Sequence, residues 1–431
     1  MIYLFFTLLV SSAAVFSQAA PSVEYSNYAV LQGATNSEST QVAVLHPKTE
    51  ALTLRLVPVG EKEGITPTES NEVKHEHSNW TVSRGTFGGL ALGKSYQLQI
   101  LNKAGKVVDT RKLQTLDLSS RKIRVAVVSC MDDSFEELQR KMWPQLLEFK
   151  PELIFFIGDN VYADKNPVVK LADPKHLWKR YVETRNRLSI FHQETLVPSL
   201  ALWDDHDMGA NDSDRTYPHL KESKEIFETF FPQEEIPGAL ESGPGVASHF
   251  IGFGIDWYLL DGRTFRSPES DKENQTHWGE VQEKWLTEKV NSSKEAKILI
   301  SGDQFFGGYH PFESFERQHP KRFEWFKSLV RQIKAPVLLV SGDRHLTEII
   351  KVDKLHFGYP TFELTSSGIH AKVFPESLKK DPNPHQLVGK AGVYNYMILD
   401  IEPGNPLVVE VQAVGEDKKS IYRRKISVHR P

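Results

Sequence analysis

Five apolar runs in this sequence each end in side chains able to bind a cation or move a proton. Arg124 to Val128 leads into Ser129-Cys130-Met131-Asp132-Asp133, and Leu153 to Ile157 leads into Gly158-Asp159-Asn160-Val161-Tyr162-Ala163-Asp164. Leu200 to Trp203 leads into Asp204-Asp205-His206-Asp207, with Asn211 and Asp212 just beyond. Lys297 to Ile300 leads into Ser301-Gly302-Asp303-Gln304, and Val337 to Val340 into Ser341-Gly342-Asp343-Arg344-His345. Turn and cap chemistry accounts for an Asp or a Gly at the end of a strand. It gives no reason for Cys, Tyr, Asp and His to follow successive buried strands. A hard-cation site does: carboxylates, imidazole and a phenolate can hold two adjacent metal ions. Such a pair lowers the pKa of a bound water and clamps both oxygens of a phosphoryl displacement.

The elements that must position these clusters are apolar strands followed by helical segments, the alternation of an α/β domain. Ligands in open α/β sheets bind outside the carboxyl ends of the strands, so the clusters are expected to converge. Ahead of this domain, from Val23 to about Leu118, short alternating runs such as Leu52 to Val57 and Tyr96 to Leu101 are broken by Gly88-Gly89, Gly93 and Gly105. That pattern predicts an all-β sandwich. After the last cluster, Tyr396 to Asp400 and Leu407 to Gln412, separated by Pro403-Gly404, read as antiparallel strands. A tail of about 35 residues buries too little area to stand alone, so it is expected to join the catalytic sheet. Phe305, Phe306, Tyr309, Phe312 and Phe315 read as core filling more than as a pocket lining.

The chain's 431 residues exceed one domain at roughly 150 residues each. Charged residues at 25% and hydrophobic residues at 39% exclude a disordered chain and a multi-span membrane protein. Lys plus Arg number 52 against 56 Asp plus Glu, for a formal charge of -4, so no basic excess points to nucleic acid. Cys130 is the one cysteine, which excludes an intramolecular disulfide. Met1 to Phe16 is almost wholly apolar or small and runs into Ser17-Gln18-Ala19-Ala20, which reads as a signal peptide of residues 1–19 cleaved near Ala19. No Lys or Arg precedes the run, and an uncleaved anchor is the alternative. The mature protein is expected to be exported and soluble. Asn-x-Ser/Thr sequons begin at Asn79, Asn211, Asn274 and Asn291 and matter only where the host glycosylates.

Two resemblances sharpen this reading. Gly89 to Ile100, with Tyr96 at its centre, resembles the corner of fibronectin type III modules, where a tyrosine hydroxyl caps the loop before a strand. Ser129-Cys130, Gly158 to Tyr162, Trp203 to Asp207 and Ser341 to His345 occur in the order and spacing of the metallophosphatase superfamily. They are most similar to its PhoD-like alkaline phosphatase family. Leu260-Asp261-Gly262-Arg263-Thr264-Phe265-Arg266 and Thr365-Ser366-Ser367-Gly368 match further family phrases, although the family usually has Thr in place of Gly262. The resemblance spans about residues 123 to 400. It implies a metallophosphatase β-sandwich core flanked by helices (residues 119–431, tail included), preceded by a fibronectin III-like sandwich (residues 20–118).

The resemblance also implies roles. Asp159 takes the place of the carboxylate that bridges two metals, Tyr162 that of a phenolate on ferric iron, and Cys130 that of a first ligand on the same ion. Asp205 falls at a ligand of the second metal, with His206 beside the leaving oxygen, and Asp343 and His345 complete the set. Asp303 and Gln304 stand where the superfamily has another ligand histidine. Asn211, Arg215 and Arg263 lie on loops from which they could grip phosphate oxygens. The implied metals are Fe(III) with Ca(II), with Mn or Zn as alternatives. The implied function is hydrolysis of phosphomonoesters, phosphodiesters or both by metal-activated water, with His206 as general acid. The substrate would be a small-molecule or polymeric phosphoester, with no other nucleic-acid binding and no stable membrane insertion. Competing readings are a diesterase acting on lipid head groups or cell-wall polymers, and an exported binding protein that has lost activity.

Overall fold

The computed structural model describes residues 28–165 and 167–431, and the expected leader lies outside them. Between Ala29 and Gln114, seven strands form two facing antiparallel sheets. One runs Ala29–Thr35, Thr40–Pro47, Trp80–Phe87, Glu69–Lys74 in spatial order, and the other Leu52–Pro58, Ser95–Asn102, Val107–Gln114. This four-plus-three order is that of constant-type immunoglobulin sandwiches. Ile65 makes a single bridge to Leu56, and Pro67, which has no N–H to donate, precedes the crossing to the other sheet. Alternate residues Val42, Val44, Leu54, Leu56, Leu98 and Ile100 close the sandwich core. At the corner, the Ala91 N–H donates to the Tyr96 hydroxyl at 2.7 Å.

The second unit stacks a six-stranded sheet on an eight-stranded one. In the first, Ser199–Leu202, Leu153–Ile157 and Ile123–Val128 run parallel, and Tyr396–Glu402, Leu407–Val414 and Ser420–Val428 continue it as antiparallel neighbours. In the second, Ile255–Leu260, Ala296–Ser301, Val337–Ser341 and Thr361–Ser366 are the parallel heart. The parallel strands of both sheets are buried on two faces, which is why they read as continuous apolar runs, whereas Leu407–Val414 alternates buried and half-buried residues. Val125, Phe155, Leu202, Leu399 and Val411 share one core with Trp257, Leu259, Ile298 and Val340, and the Phe155 and Trp257 rings stack at 4.9 Å.

Helices cover the outer faces. Pro174–Arg187 starts with the Asp173 side chain accepting from the His176 N–H at 2.8 Å and with Pro174 in its first turn, two strong start signals. Its Leu177, Trp178 and Tyr181 join Met142, Trp143 and Leu146 of Glu136–Leu147 against the six-stranded sheet. Phe323, Phe326 and Leu329 of Pro320–Gln332 lie in the core of the other. The N-terminal sandwich is bolted to this unit. Its Leu31, Ala43 and Leu45 belong to the same apolar cluster as Trp178 and Phe230, and Ala34 donates a backbone bond to Pro232 at 2.9 Å. Lys112 pairs by backbone with Glu194 and Leu196, both at 2.7 Å. Among the described residues, no helix is long and apolar enough to cross a membrane.

Candidate active site

Three of the strand ends that carry the motifs open onto one cleft of about 760 Å³, lined by Asp159, Asp205, His206, Asn211, Asp343 and His345 among others, while Cys130 and Tyr162 are buried beside these residues. Local backbone strain marks the place. Cys130, Asp159, Asp343 and His345 all adopt left-handed φ values, between 50° and 61°. Non-glycine residues rarely do so, and such strain gathers at functional sites. Gly158 makes the second turn possible: its φ is +101°, and a Cβ there would lie 2.7 Å from the Asp204 Cβ.

Ligand-capable atoms of Cys130, Asp159 and His345 lie within 4.8 Å of one another, as do those of Asp159, Asp205 and His206. Asp159 belongs to both groups. The Cys130 thiol sits 3.5 Å from an Asp159 oxygen and 3.0 Å from the Ser367 hydroxyl. The Tyr162 hydroxyl is 3.1 Å from His345 Nε2, and the other nitrogen of His345 meets the Lys372 carbonyl. A third group, Asp205, Asp212 and Glu313, extends the acidic surface.

Electrostatics separates the residues. Burial, with the Asp159 and Asp343 carboxylates next to it, pushes the Cys130 thiol well above its usual range. Burial with Cys130 and Asp159 does the same to the Tyr162 phenol. Asp159 is raised by burial and by its acidic neighbours, although the nearby His206 opposes this, and Asp343 is raised by burial and by Asp204. One oxygen of Asp159, itself buried, has no hydrogen-bond partner among the described residues. Thiol, phenol and two carboxyls thus crowd together, and neither the His206 imidazole beside Asp159 nor the Arg344 guanidinium near Asp343 outweighs their burial. A metal ion among them would reverse each of these penalties, and the donor set suits one. His206 behaves oppositely. Burial works against its charge, but Asp205, Asp159 and Asp164 outweigh that and raise it to about 10. Its Nδ1 is fixed by Asp164 Oδ1 at 2.7 Å.

No family model matches the chain, and no curated protein sequence does. Among solved structures, one described as "Structure of PhoD" aligns with a TM-score of 0.69 over 95% of this chain and 94% of that one, at 15% identity. The chain has the PhoD fold. The PhoD likeness takes in both units, so the N-terminal sandwich is part of it as well as the two stacked sheets.

Within this PhoD-like frame, several residues fall away from the positions expected of them. Arg263 is fully buried and does not line the cleft. Its guanidinium pairs with Asp204 and with Glu313, the latter at 2.8 Å, so its charge is already used. Arg215 pairs with Asp271 at 2.9 Å on the surface. Asp303 faces Arg266 at 2.6 Å and His277 at 3.4 Å, and Gln304 donates to Glu348 and Thr365; neither lines the cleft. The Asp204 to Asp207 run divides by role. Asp204 and Asp207 form a capping box on the short helix Asp205–Met208, and Asp207 also accepts from the Val161 N–H at 3.0 Å, so those two carboxylates brace the loop while Asp205 and His206 face the cleft. Phe305, Phe306 and Phe315 are core, but Phe312 is exposed and lines the cleft. The residues without a sequence-stated role are Asp164, Ser367, Asp212 and Glu313. Asp164 stood in a motif that was read only to Tyr162; Glu313 lies on a loop remote from every motif and carried no signal.

Proposed function

We propose that the protein is a metal-dependent phosphoesterase acting on phosphomonoesters, phosphodiesters or both, and that it works outside the cytoplasm after losing its leader. One observation carries this: residues from four separated strand ends, in two sheets, converge at a single cleft of a PhoD-like fold, Asp159, Asp205, Asp343 and His345 lining it and Cys130 buried against Asp159 and His345. Cys130, Asp159, Tyr162 and His345 would hold one ion, and Asp159, Asp205 and Asp343 a second. Thiolate and phenolate suit Fe(III), and the carboxylate side suits Ca(II), with Mn or Zn the alternatives. Bound metals would supply an activated water and positive charge for the phosphate. Asn211, exposed at the rim, would reach the phosphate or ester. His206 does the proton work. Asp164 holds Nδ1, which fixes the tautomer and leaves Nε2 to protonate the leaving alkoxide.

Metal analysis of the purified protein together with turnover of a nitrophenyl monoester and diester tests the reading. Iron and calcium, a violet to pink colour from tyrosinate on Fe(III), and hydrolysis of at least one ester are expected, with the colour lost in Tyr162→Phe. Metal-free, inactive protein would sink the proposal and leave an exported binding protein. Turnover of the diester alone would favour an enzyme of lipid head groups or cell-wall polymers.

A further inference from the structure

The cations lining the cleft differ in what already occupies them. Arg317, Lys372 and Lys380 are exposed, and Lys165 is half-buried with its ammonium over the Tyr162 ring. Arg266 is buried but held by Asp303 and Glu313 at 2.6 and 2.9 Å. Arg344 differs from all of these. It is only 8% exposed, yet its guanidinium has no ion pair or hydrogen bond among the described residues, and its Nε is fully buried without a partner. The guanidinium lies over the face of Phe312, 4.7 Å from the ring centroid.

Desolvating a charge without an acceptor is costly, so a fold that keeps one beside a cleft is arranged for an anion that arrives later. The local chain fixes where that anion must sit. The Arg344 N–H turns back to the Gly342 carbonyl at 2.8 Å, and Asp343 and His345 on either side both hold left-handed backbone conformations. The guanidinium is therefore carried by the same tight turn as two proposed metal ligands. Its planar fork matches two oxygens of a phosphate, which an ammonium does not. Phe312 supplies a flat support that orients the fork without neutralising it.

Resting on the phosphoesterase reading above, we propose that Arg344 grips the non-bridging oxygens of the substrate phosphate, with Phe312 as the platform that holds it. This replaces Arg263 in that role, whose charge is consumed by Asp204 and Glu313.

The test is calorimetric titration of the metal-loaded protein with inorganic phosphate, with metal content and melting temperature recorded for every variant. Arg344→Gln should keep its metal and its melting temperature but bind phosphate roughly tenfold to hundredfold more weakly, the range for a lost charge-assisted pair. Arg344→Lys should recover part of that loss, and Phe312→Leu should weaken binding by only about twofold to fivefold. In turnover, the Arg344→Gln loss should fall on kcat/KM for every ester tried. Phosphate affinity within twofold of wild type in Arg344→Gln would overturn the assignment, as would a wild type that binds no phosphate. Loss of metal or of folding in both Arg344 variants, with Phe312→Leu indistinguishable from wild type, would make Arg344 structural and overturn it too. A wild type that binds phosphate through Arg344 but hydrolyses no ester would leave the assignment standing and remove the phosphoesterase reading.

Discussion

Two buried clusters of acids lie side by side, and they are balanced in opposite ways. At one wall of the cleft, Asp303 and Glu313 face Arg266 and Arg263, and although burial opposes ionisation, the arginines hold both carboxyls below their usual range. In and beside the cleft, Cys130, Asp159, Tyr162 and Asp343 are all raised, burial being the largest cause each time, while Asp205 among them is held down by His206 and Arg263 against burial. The first cluster carries its own counter-ions. In the second, His206 beside Asp159 and Arg344 near Asp343 do not outweigh burial, and this contrast supports the proposed metal site more directly than any count of acidic residues does.

The contrast can be broken from either side. The largest effect is expected from Asp159→Asn, which should lose bound metal and nearly all turnover, because a neutral amide does not bridge two cations. Asn tolerates the left-handed backbone at this position, so metal-free Asp159→Asn should melt no lower than metal-free wild type. A lower melting temperature would mean that the carboxylate stabilises the fold without metal. Next comes His206→Asn, which should retain metal and lose about 10²- to 10⁴-fold in turnover, less on a nitrophenyl ester than on an alkyl ester. Equal losses on both esters would remove the general-acid role. On the self-balanced side, Arg263→Met should cost about 3–5 kcal/mol in denaturant unfolding by stranding Asp204 and Glu313, and a cost under about 1 kcal/mol would show that the network is not holding the fold. The smallest effect concerns pH. Burial lowers His277 to about 4 and His319 to about 2, so both stay neutral when folded but take up a proton near 6.5 when unfolded. Their contribution is full above pH 6.5 and is lost as pH falls, towards 4 for His277 and towards 2 for His319. Unfolding at pH 5 should therefore show about 2 kcal/mol less stability per histidine than at pH 7.5, a difference that His277→Gln should reduce.

Strand ends were readable because burial on both faces makes a strand apolar throughout, so the polar cluster that follows stands out. Burial of the loops was not readable. Arg263 in its Asp-Gly-Arg phrase looks like any surface arginine until Asp204 and Glu313, 59 and 50 residues away in sequence, close over it. Arg344 was hidden for the converse reason: standing between Asp343 and His345, it had no partner in the sequence to mark it. The Asp204 to Asp207 run could not be divided, because a carboxylate that caps a four-residue helix and one that faces a cleft are written with the same letter. Phe312 was grouped with its core neighbours because aromatic composition does not reveal which ring a loop turns outward.

The pairing of Tyr396–Glu402 with Ile123–Val128, tied at its edge by Arg124 to Asp400 across 276 positions, has a consequence for how the molecule is made. On the ribosome, Ile123–Val128 emerges early and finds Leu153–Ile157 on one side only. Its other edge stays unpaired until nearly the whole chain has been synthesised, so the six-stranded sheet cannot be completed partway through translation, although the sheets before it can. The final strands are the latch of that sheet.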